Sequence, residues 1–389
     1  MVTPLWTPPR WGVSRVAVIG AGLAGCATAQ ALALHRVQVD LYDPKPGSGA
    51  SGNAQGMLYV APQIDPTPAS RFWLQAFDLA TQQYSDEPQF HATGLLTLAE
   101  SKKDEIRLTR IFENLDRSPE DLRWVSADQA SQILGLTVST PGLFWPKSGW
   151  MAVADFVARA LPGVQRIKQA AQEIQEHADQ VWVNQQPYDA VVLCNAYSAR
   201  RFLPEYLTPR PVRGQISRIH GPQAHSAVCA DGYLTPPDKQ GLSSYGASFV
   251  PKDDQTDIRA EDDAFNASLM QKLLVDPLQG QAGESRASIR CASPDYLPMV
   301  GCLPQQTLWI EQLARLRVDA KWQPDAPATE FSRIAVNIGH GSRGLTSTPL
   351  CAQIIASELC GQPIQADRDL VAYLSPARFL IRGLKRGQL

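Results

Sequence analysis

No apolar run in the 389-residue sequence approaches the roughly 18 residues that a membrane-spanning helix requires, so no such helix is expected. Cysteine is sparse: seven residues, an odd number, none spaced as CxxC. That pattern argues against a disulfide frame or a zinc site and fits small buried thiols in a reducing compartment. The opening MVTPLWTPPRWGVSR has no apolar h-region, which predicts no signal peptide and a cytoplasmic location. With six histidines there is neither a Ser/His/Asp nor a metal-ligand constellation, and no metal is expected. Internal repeats and low-complexity segments are also missing. Net charge is only −2, which neither advertises nor excludes a nucleic-acid partner. After Asp369 acidic side chains stop, while Arg378, Arg382, Lys385 and Arg386 follow. Such a basic tail reads as a solvated end or as a phosphate contact.

What is present begins at RVAVIGAGLAGCATAQALALHRVQVDLYDP, Arg15 to Pro44. Val16–Ile19 reads as a buried strand, Gly20, Gly22 and Gly25 give GxGxxG, Leu23–Leu34 is a helix former, and Val37–Tyr42 is a second apolar run. Gly20 permits the tight turn, Gly22 leaves room for a pyrophosphate, and Gly25 lets helix and strand approach. The helix N-terminus is then an anion site. Asp43, 23 residues beyond Gly20, is placed to accept hydrogen bonds from ribose hydroxyls. Together these features predict dinucleotide binding.

PKPGSGASGNAQGMLYVAP follows, a loop rich in glycine and hydroxyl residues that suits an extended ligand and leads into apolar Met57–Ala61. Helices are expected near 70–84, 103–115, after Ser126, and at 153–161. Val191–Leu193 reads as a buried strand opening into a turn at Asn195 and Ala196, with a helix from Ser198. Residues 211–290 look largely antiparallel, through PVRGQISRI, GYLTP and SYGASFV, interrupted by a helix near 261–275. A long connection after CLP leads to a strand at 331–338 and to GHGSRGLTSTPL, with a helix from Leu345 to Leu359. The length suits two joined domains.

VIGAGLAG with Asp43, VVLCNAYSAR, RCASPDYLPMVG and GHGSRGL together resemble the D-amino-acid-oxidase-like family of FAD-dependent amine oxidoreductases. Within it, ASGNAQGMLYVAP, GYLTP with YGASF, GSRGLTSTPLCAQIIA and the LIRGLKRG tail are similar to the flavin half of the bifunctional tRNA 5-methylaminomethyl-2-thiouridine biosynthesis proteins. The resemblance implies an α/β fold: a Rossmann-like FAD-binding domain of the glutathione-reductase-like class, with an inserted antiparallel-sheet substrate domain. Residues 1–86, 145–210 and 290–389 are expected in the first, and 87–144 and 211–289 in the second. It also implies FAD as cofactor, tRNA as partner and removal of the carboxymethyl group from 5-carboxymethylaminomethyl-(2-thio)uridine at the wobble position. The products would be 5-aminomethyl-(2-thio)uridine and glyoxylate. The methyltransferase domain that precedes the flavin half in the bifunctional proteins is not expected here, where the first nucleotide fold starts at residue 15; the later methylation would then fall to a separate S-adenosylmethionine-dependent enzyme, or the product would stop at the aminomethyl stage.

Cofactor contacts are expected from Gly20, Ala21, Gly22, Leu23, Ala24 and Gly25, from Asp43 and Pro44, and from Ser48, Ala50, Ser51, Gly52, Asn53, Gln55, Gly56 and Met57. Asn195, Ala196, Arg290, Gly341, Ser342, Arg343, Gly344 and Leu345 complete that set. Among catalytic candidates, Arg290 would pair with the substrate carboxylate, the other reading being an ion pair with Asp295; Tyr233 could share the carboxylate or be a packed tyrosine. Arg343 and the helix N-terminus after it would stabilise charge on the reduced flavin. His340 reads as a turn residue. Cys291 raises covalent flavin attachment, against which its spacing to Asp295 argues. Two other functions fit the same residues: a small-molecule amine oxidase acting on glycine, sarcosine or a D-amino acid, and a non-catalytic flavoprotein subunit that binds tRNA or a methyltransferase.

Overall fold

Val16, Ala17 and Val18 are wholly buried, and so are Val191, Val192 and Leu193. Strands apolar on both faces belong in the middle of a covered parallel sheet. In the computed structural model, which describes residues 4–60, 62–177, 179–221, 223–364 and 366–389, that is where they lie. Ala61, the end of the apolar run after the glycine-rich loop, lies outside the described residues. The sheet has six strands in the order Met299–Pro304, Phe331–Ile338, Ala190–Leu193, Arg15–Ile19, Gln38–Tyr42 and Val164–Ile167. All neighbours are parallel except the first pair. Helix Leu23–Leu34 packs against helix Gly344–Leu359.

The chain divides into two compact units, Met1–Ser48 with Arg159–Arg210 and Cys291–Leu389, and Gly49–Ala158 with Pro211–Arg290. The first contains the six-stranded sheet. The second is built on a ten-stranded sheet, mostly antiparallel, in which Arg210–His220 is the longest strand, plus a small sheet of Gly56–Leu58, Gly149–Met151 and Phe90–His91. Residues 49–86 and 145–158, expected with the nucleotide-binding domain, pack in the second unit instead. The physical reason is the small sheet: Gly149–Met151 pairs with Gly56–Leu58 on one side and with Phe90–His91 on the other, which ties both segments to the residues that follow 86.

Three local expectations differ from the structure. The segment after Asn195 is a 3-10 turn, Ala196–Phe202, rather than a helix from Ser198. The connection before Phe331 contains helix Gln306–Gln312, anchored by fully buried Trp309. The basic tail is not a solvated end: Ala377–Lys385 is a helix whose Ala377, Leu380 and Leu384 are buried in a cluster with Trp309, Leu313 and Leu316. No helix among the described residues is long and apolar enough to cross a membrane.

Candidate functional site

In the first unit, strand Arg15–Ile19 delivers the chain into Gly20, whose φ is +102°. A Cβ there would lie 2.7 Å from the Asn195 Cα, and a Cβ at Gly25 would lie 1.7 Å from the Gly20 carbonyl oxygen. Neither position admits a side chain, so the backbone segments of the turn approach one another closely. Gly22 opens helix Leu23–Leu34, whose N-terminus has no side-chain cap and no acidic residue in its first turn. The dipole there favours an anion. Ala21, Leu23 and Ala24 are buried beneath the turn.

Asp43 does more than sequence reasoning assigned to it. Its Oδ2 accepts the Ala21 N–H at 2.7 Å and its Oδ1 the Lys45 N–H at 2.8 Å, so the carboxylate braces the glycine turn. Each oxygen retains acceptor capacity for a ribose hydroxyl. Pro44 and Ser48 are exposed beyond it. Across the sheet, Asn195 sits against Gly20, and its Oδ1 is buried without a hydrogen-bond partner among the described residues; Ala196 has φ +52°. An unsatisfied buried acceptor at this turn is a feature that a ligand donor would repair.

The third turn of the unit follows Phe331–Ile338. Gly339 and Gly341 have φ +82° and +58°, and the Gly341 N–H donates to the Cys291 carbonyl at 2.8 Å. Arg343 is the half-buried residue from which helix Gly344–Leu359 starts; Ser342 is exposed and Leu345 buried. A Cβ on Gly344 would be in contact with Leu23 at 3.6 Å, so this turn stands against the start of the first helix. His340 bridges Ser347 Oγ, 2.8 Å from its Nδ1, and Asn337 Oδ1, 3.0 Å from its Nε2. Burial lowers its pKa to about 4, so the ring is neutral near pH 7 and ties the turn together. Cys291 is buried, and burial pushes its thiol up to about 12, which deprives it of the thiolate that covalent attachment needs. The glycine cradle, the positive end of the helix dipole, Asp43 and the Asn195 oxygen fit the diphosphate and ribose of a dinucleotide.

In the second unit the loop after Ser48 forms a 3-10 turn, Ala50–Gly52. Arg286 holds it, donating to Asn53 Oδ1 at 2.7 Å and to the Gly49 carbonyl at 2.8 Å. Gln55, expected to touch the cofactor, is buried, with its side chain spent inside this unit: its Nε2 donates to the Pro236 carbonyl and its Oε1 accepts from Thr235 and Ser244 hydroxyls. Gly56 and Met57 lie in the small sheet, with Ser51 half-buried before them.

Arg290 is on strand Arg286–Ala292, and its guanidinium lies over the place where a Gly214 side chain would begin: a Cβ there would come within 2.0 Å of its Nη1. Other arginines of this unit have carboxylate partners, Arg213 with Asp262, Arg218 with Asp238, and Arg259 with Asp253 and Asp257. Arg290 has none among the described residues. Its Nη1 donates to the Ser248 carbonyl at 3.2 Å, and the Phe249 ring centroid is 5.9 Å from its guanidinium carbon. Burial lowers its pKa, opposed by the nearby phenols of Tyr233 and Tyr59. Tyr233 is pushed up to about 12 by burial, Arg290 acting the other way. Asp295, the alternative partner, is instead bound in the first unit by Arg378 at 2.9 Å and Arg382 at 3.2 Å. That engagement also removes Arg378 from the candidate phosphate contacts.

Sequence reasoning missed Arg286, Tyr59, Gly214 and Phe249. Arg286 had a signal, its even spacing to Arg290 on one strand; the others become neighbours of Arg290 only through the sheet.

A Rossmann-like sheet with this glycine cradle defines a dinucleotide-binding fold. The profile of the family described as DAO, FAD dependent oxidoreductase, matches residues 15–358, and the chain belongs to that FAD-dependent family. It is 36% identical, over 99% of its length, to the tRNA 5-methylaminomethyl-2-thiouridine biosynthesis bifunctional protein MnmC of Chromohalobacter salexigens, of which it covers 59%. Among solved structures, glycine oxidase from Geobacillus kaustophilus superposes with a TM-score of 0.71 at 20% identity, over 93% of this chain and 98% of that one. L-proline dehydrogenase from P. horikoshii gives 0.72 at 16%, over 98% and 100%. These two share the fold.

Proposed function

We propose that the protein oxidatively removes the carboxymethyl group from 5-carboxymethylaminomethyl-(2-thio)uridine at the wobble position of tRNA in the cytoplasm, releasing glyoxylate and leaving the 5-aminomethyl base. The observation that carries this reading is Arg290, a half-buried guanidinium that lacks a carboxylate among the described residues of its own unit. A half-buried arginine with unspent donors is a place for a counterion, and the leaving fragment of this substrate is a carboxylate. When bound, FAD supplies the acceptor for the hydride lost by the carbon between amine and carboxylate, and water then splits the C=N bond into a primary amine and glyoxylate.

Arg290 takes the carboxylate through two parallel N–H donors, and the Ser248 carbonyl fixes the plane of the fork. Tyr233, protonated at any physiological pH, offers a neutral hydroxyl to the same group. The first unit holds the cofactor with the Gly20–Gly25 turn, Asp43 and Asn195, while Arg343 and the helix start beside it supply positive potential for charge gained on reduction. Relatives named for tRNA 5-methylaminomethyl-2-thiouridine biosynthesis support tRNA as the substrate carrier. The chain spans about three-fifths of that relative.

The test is anaerobic. Purified, FAD-loaded protein is mixed with tRNA carrying the carboxymethylaminomethyl group, with glycine and with sarcosine, and flavin absorbance is followed. Bleaching by the tRNA with release of glyoxylate is expected. Bleaching by glycine or sarcosine alone would make this a small-molecule amine oxidase; bleaching by none would make it a non-catalytic flavoprotein.

A further inference from the structure

We infer that Phe249 is the platform on which the uracil ring of the substrate stacks, and so the residue that selects a modified base over a bare amino acid. This rests on the wobble-uridine reading and names how the same site recognises the base. Phe249 is 51% exposed, and its backbone is pinned on both sides. Ser248 before it accepts the Gln215 N–H on its Oγ at 2.9 Å, and its own N–H donates to the Gln215 carbonyl. Val250 after it pairs with Arg213 in the sheet. The ring is thus an apolar face held out on a rigid support.

Its place is set by Arg290: the carbonyl of residue 248 accepts from the guanidinium, and the ring of residue 249 stands 5.9 Å from it. In the substrate, four single bonds separate the carboxyl carbon from C5 of the base, about 5 Å when extended. A carboxylate on Arg290 therefore brings the tethered base within reach of the Phe249 face. An unstacked RNA base is commonly received by an aromatic side chain, and an enzyme acting at a base substituent must draw the base from its neighbours. Glycine or sarcosine has no ring to use the platform.

The experiment measures equilibrium binding of anticodon stem-loops bearing 5-carboxymethylaminomethyluridine or its product 5-aminomethyluridine to FAD-loaded wild type, Phe249→Ala, Phe249→Leu and Phe249→Trp. The product lacks the carboxylate and reports base contacts without Arg290. Stacking predicts that Ala and Leu weaken both ligands by about 5- to 100-fold while Trp retains affinity. Leu preserves apolar bulk and carries the test if Ala loses FAD. Affinities within twofold of wild type, or weakening of the carboxylate-bearing ligand alone, overturn the inference and leave the wobble-uridine reading standing. If wild-type flavin is not reduced by the modified stem-loop, that reading falls and the inference with it.

Discussion

Arginine has two settings in this protein, and the difference is what makes Arg290 informative. Arg213 is fully buried and spends both terminal nitrogens on Asp262, Gln215 and the Asp257 carbonyl, which makes it a structural ion pair. Arg290 retains donors that nothing among the described residues takes up. Replacing it with alanine should cost on the order of 2–5 kcal/mol in substrate binding or transition-state stabilisation, and lysine should recover only part, because an ammonium cannot reproduce the paired donors. Single-turnover flavin reduction in variants shown to contain FAD is the measurement, and near-wild-type reduction by Arg290→Ala would remove the residue from the site. Asp43→Ala should weaken FAD binding by more than ribose contacts alone would, since the Ala21 amide loses its acceptor as well. Titration of the apoprotein with FAD checks this, and unchanged affinity would refute it.

At the scale of elements, two carboxyl groups of the first unit impose opposite pH dependences. Glu358, on helix Gly344–Leu359, is 2% exposed and accepts the Cys302 N–H at 3.1 Å; burial raises its pKa from 4.5 to about 7. The folded protein keeps that proton while the unfolded chain releases it, so stability is full below pH 4.5 and falls as pH rises to 7, by on the order of 3 kcal/mol. Glu358→Gln should flatten that fall in denaturant titrations at pH 5 and pH 8. Asp295 behaves in the other sense. Although burial works against it, the Arg378 and Arg382 partners hold its pKa down from 3.8 to about 2, so its contribution is present above pH 3.8 and is lost as pH falls through 2. Asp295→Asn should destabilise by about 3 kcal/mol at neutral pH, by leaving Arg378 buried and uncompensated, with a smaller effect in acid. A pH-independent difference would show that the ion pair is not its source.

For the whole molecule, tRNA binding is an electrostatic question that the tail helix changes. Arg378 is committed to Asp295 and Arg382 partly so, which leaves exposed Lys385 and Arg386 as the tail's candidates for phosphate. If both meet phosphates, Lys385→Ala with Arg386→Ala should lower the log–log salt slope of tRNA binding by roughly 0.7 to 0.9 per residue without altering FAD content. Arg378→Ala should instead lower stability. An unchanged slope in the double variant would put the tRNA surface elsewhere.

The sequence by itself determined the nucleotide cradle and the elements around it. GxGxxG, the strand Arg15–Ile19, the helix Leu23–Leu34 and Asp43 are all local in the chain, and their geometry follows from glycine's missing side chain and from hydrophobic period. The strand at Phe331–Ile338 and the helix start after Arg343 were legible for the same reason. Only the tertiary structure decided the rest, because it depends on residues distant in sequence. Asp295 lies five residues from Arg290 yet pairs with Arg378, 83 residues away. Gln55 is drawn into its own unit by Thr235 and Ser244, some 180 residues on. The basic tail becomes a packed helix because Ala377, Leu380 and Leu384 meet Trp309 and Leu316, an apolar face that the charges around it conceal in the sequence. Which charge is spent and which remains for a ligand is settled by long-range pairing, and pairing of that kind leaves no periodicity in a chain.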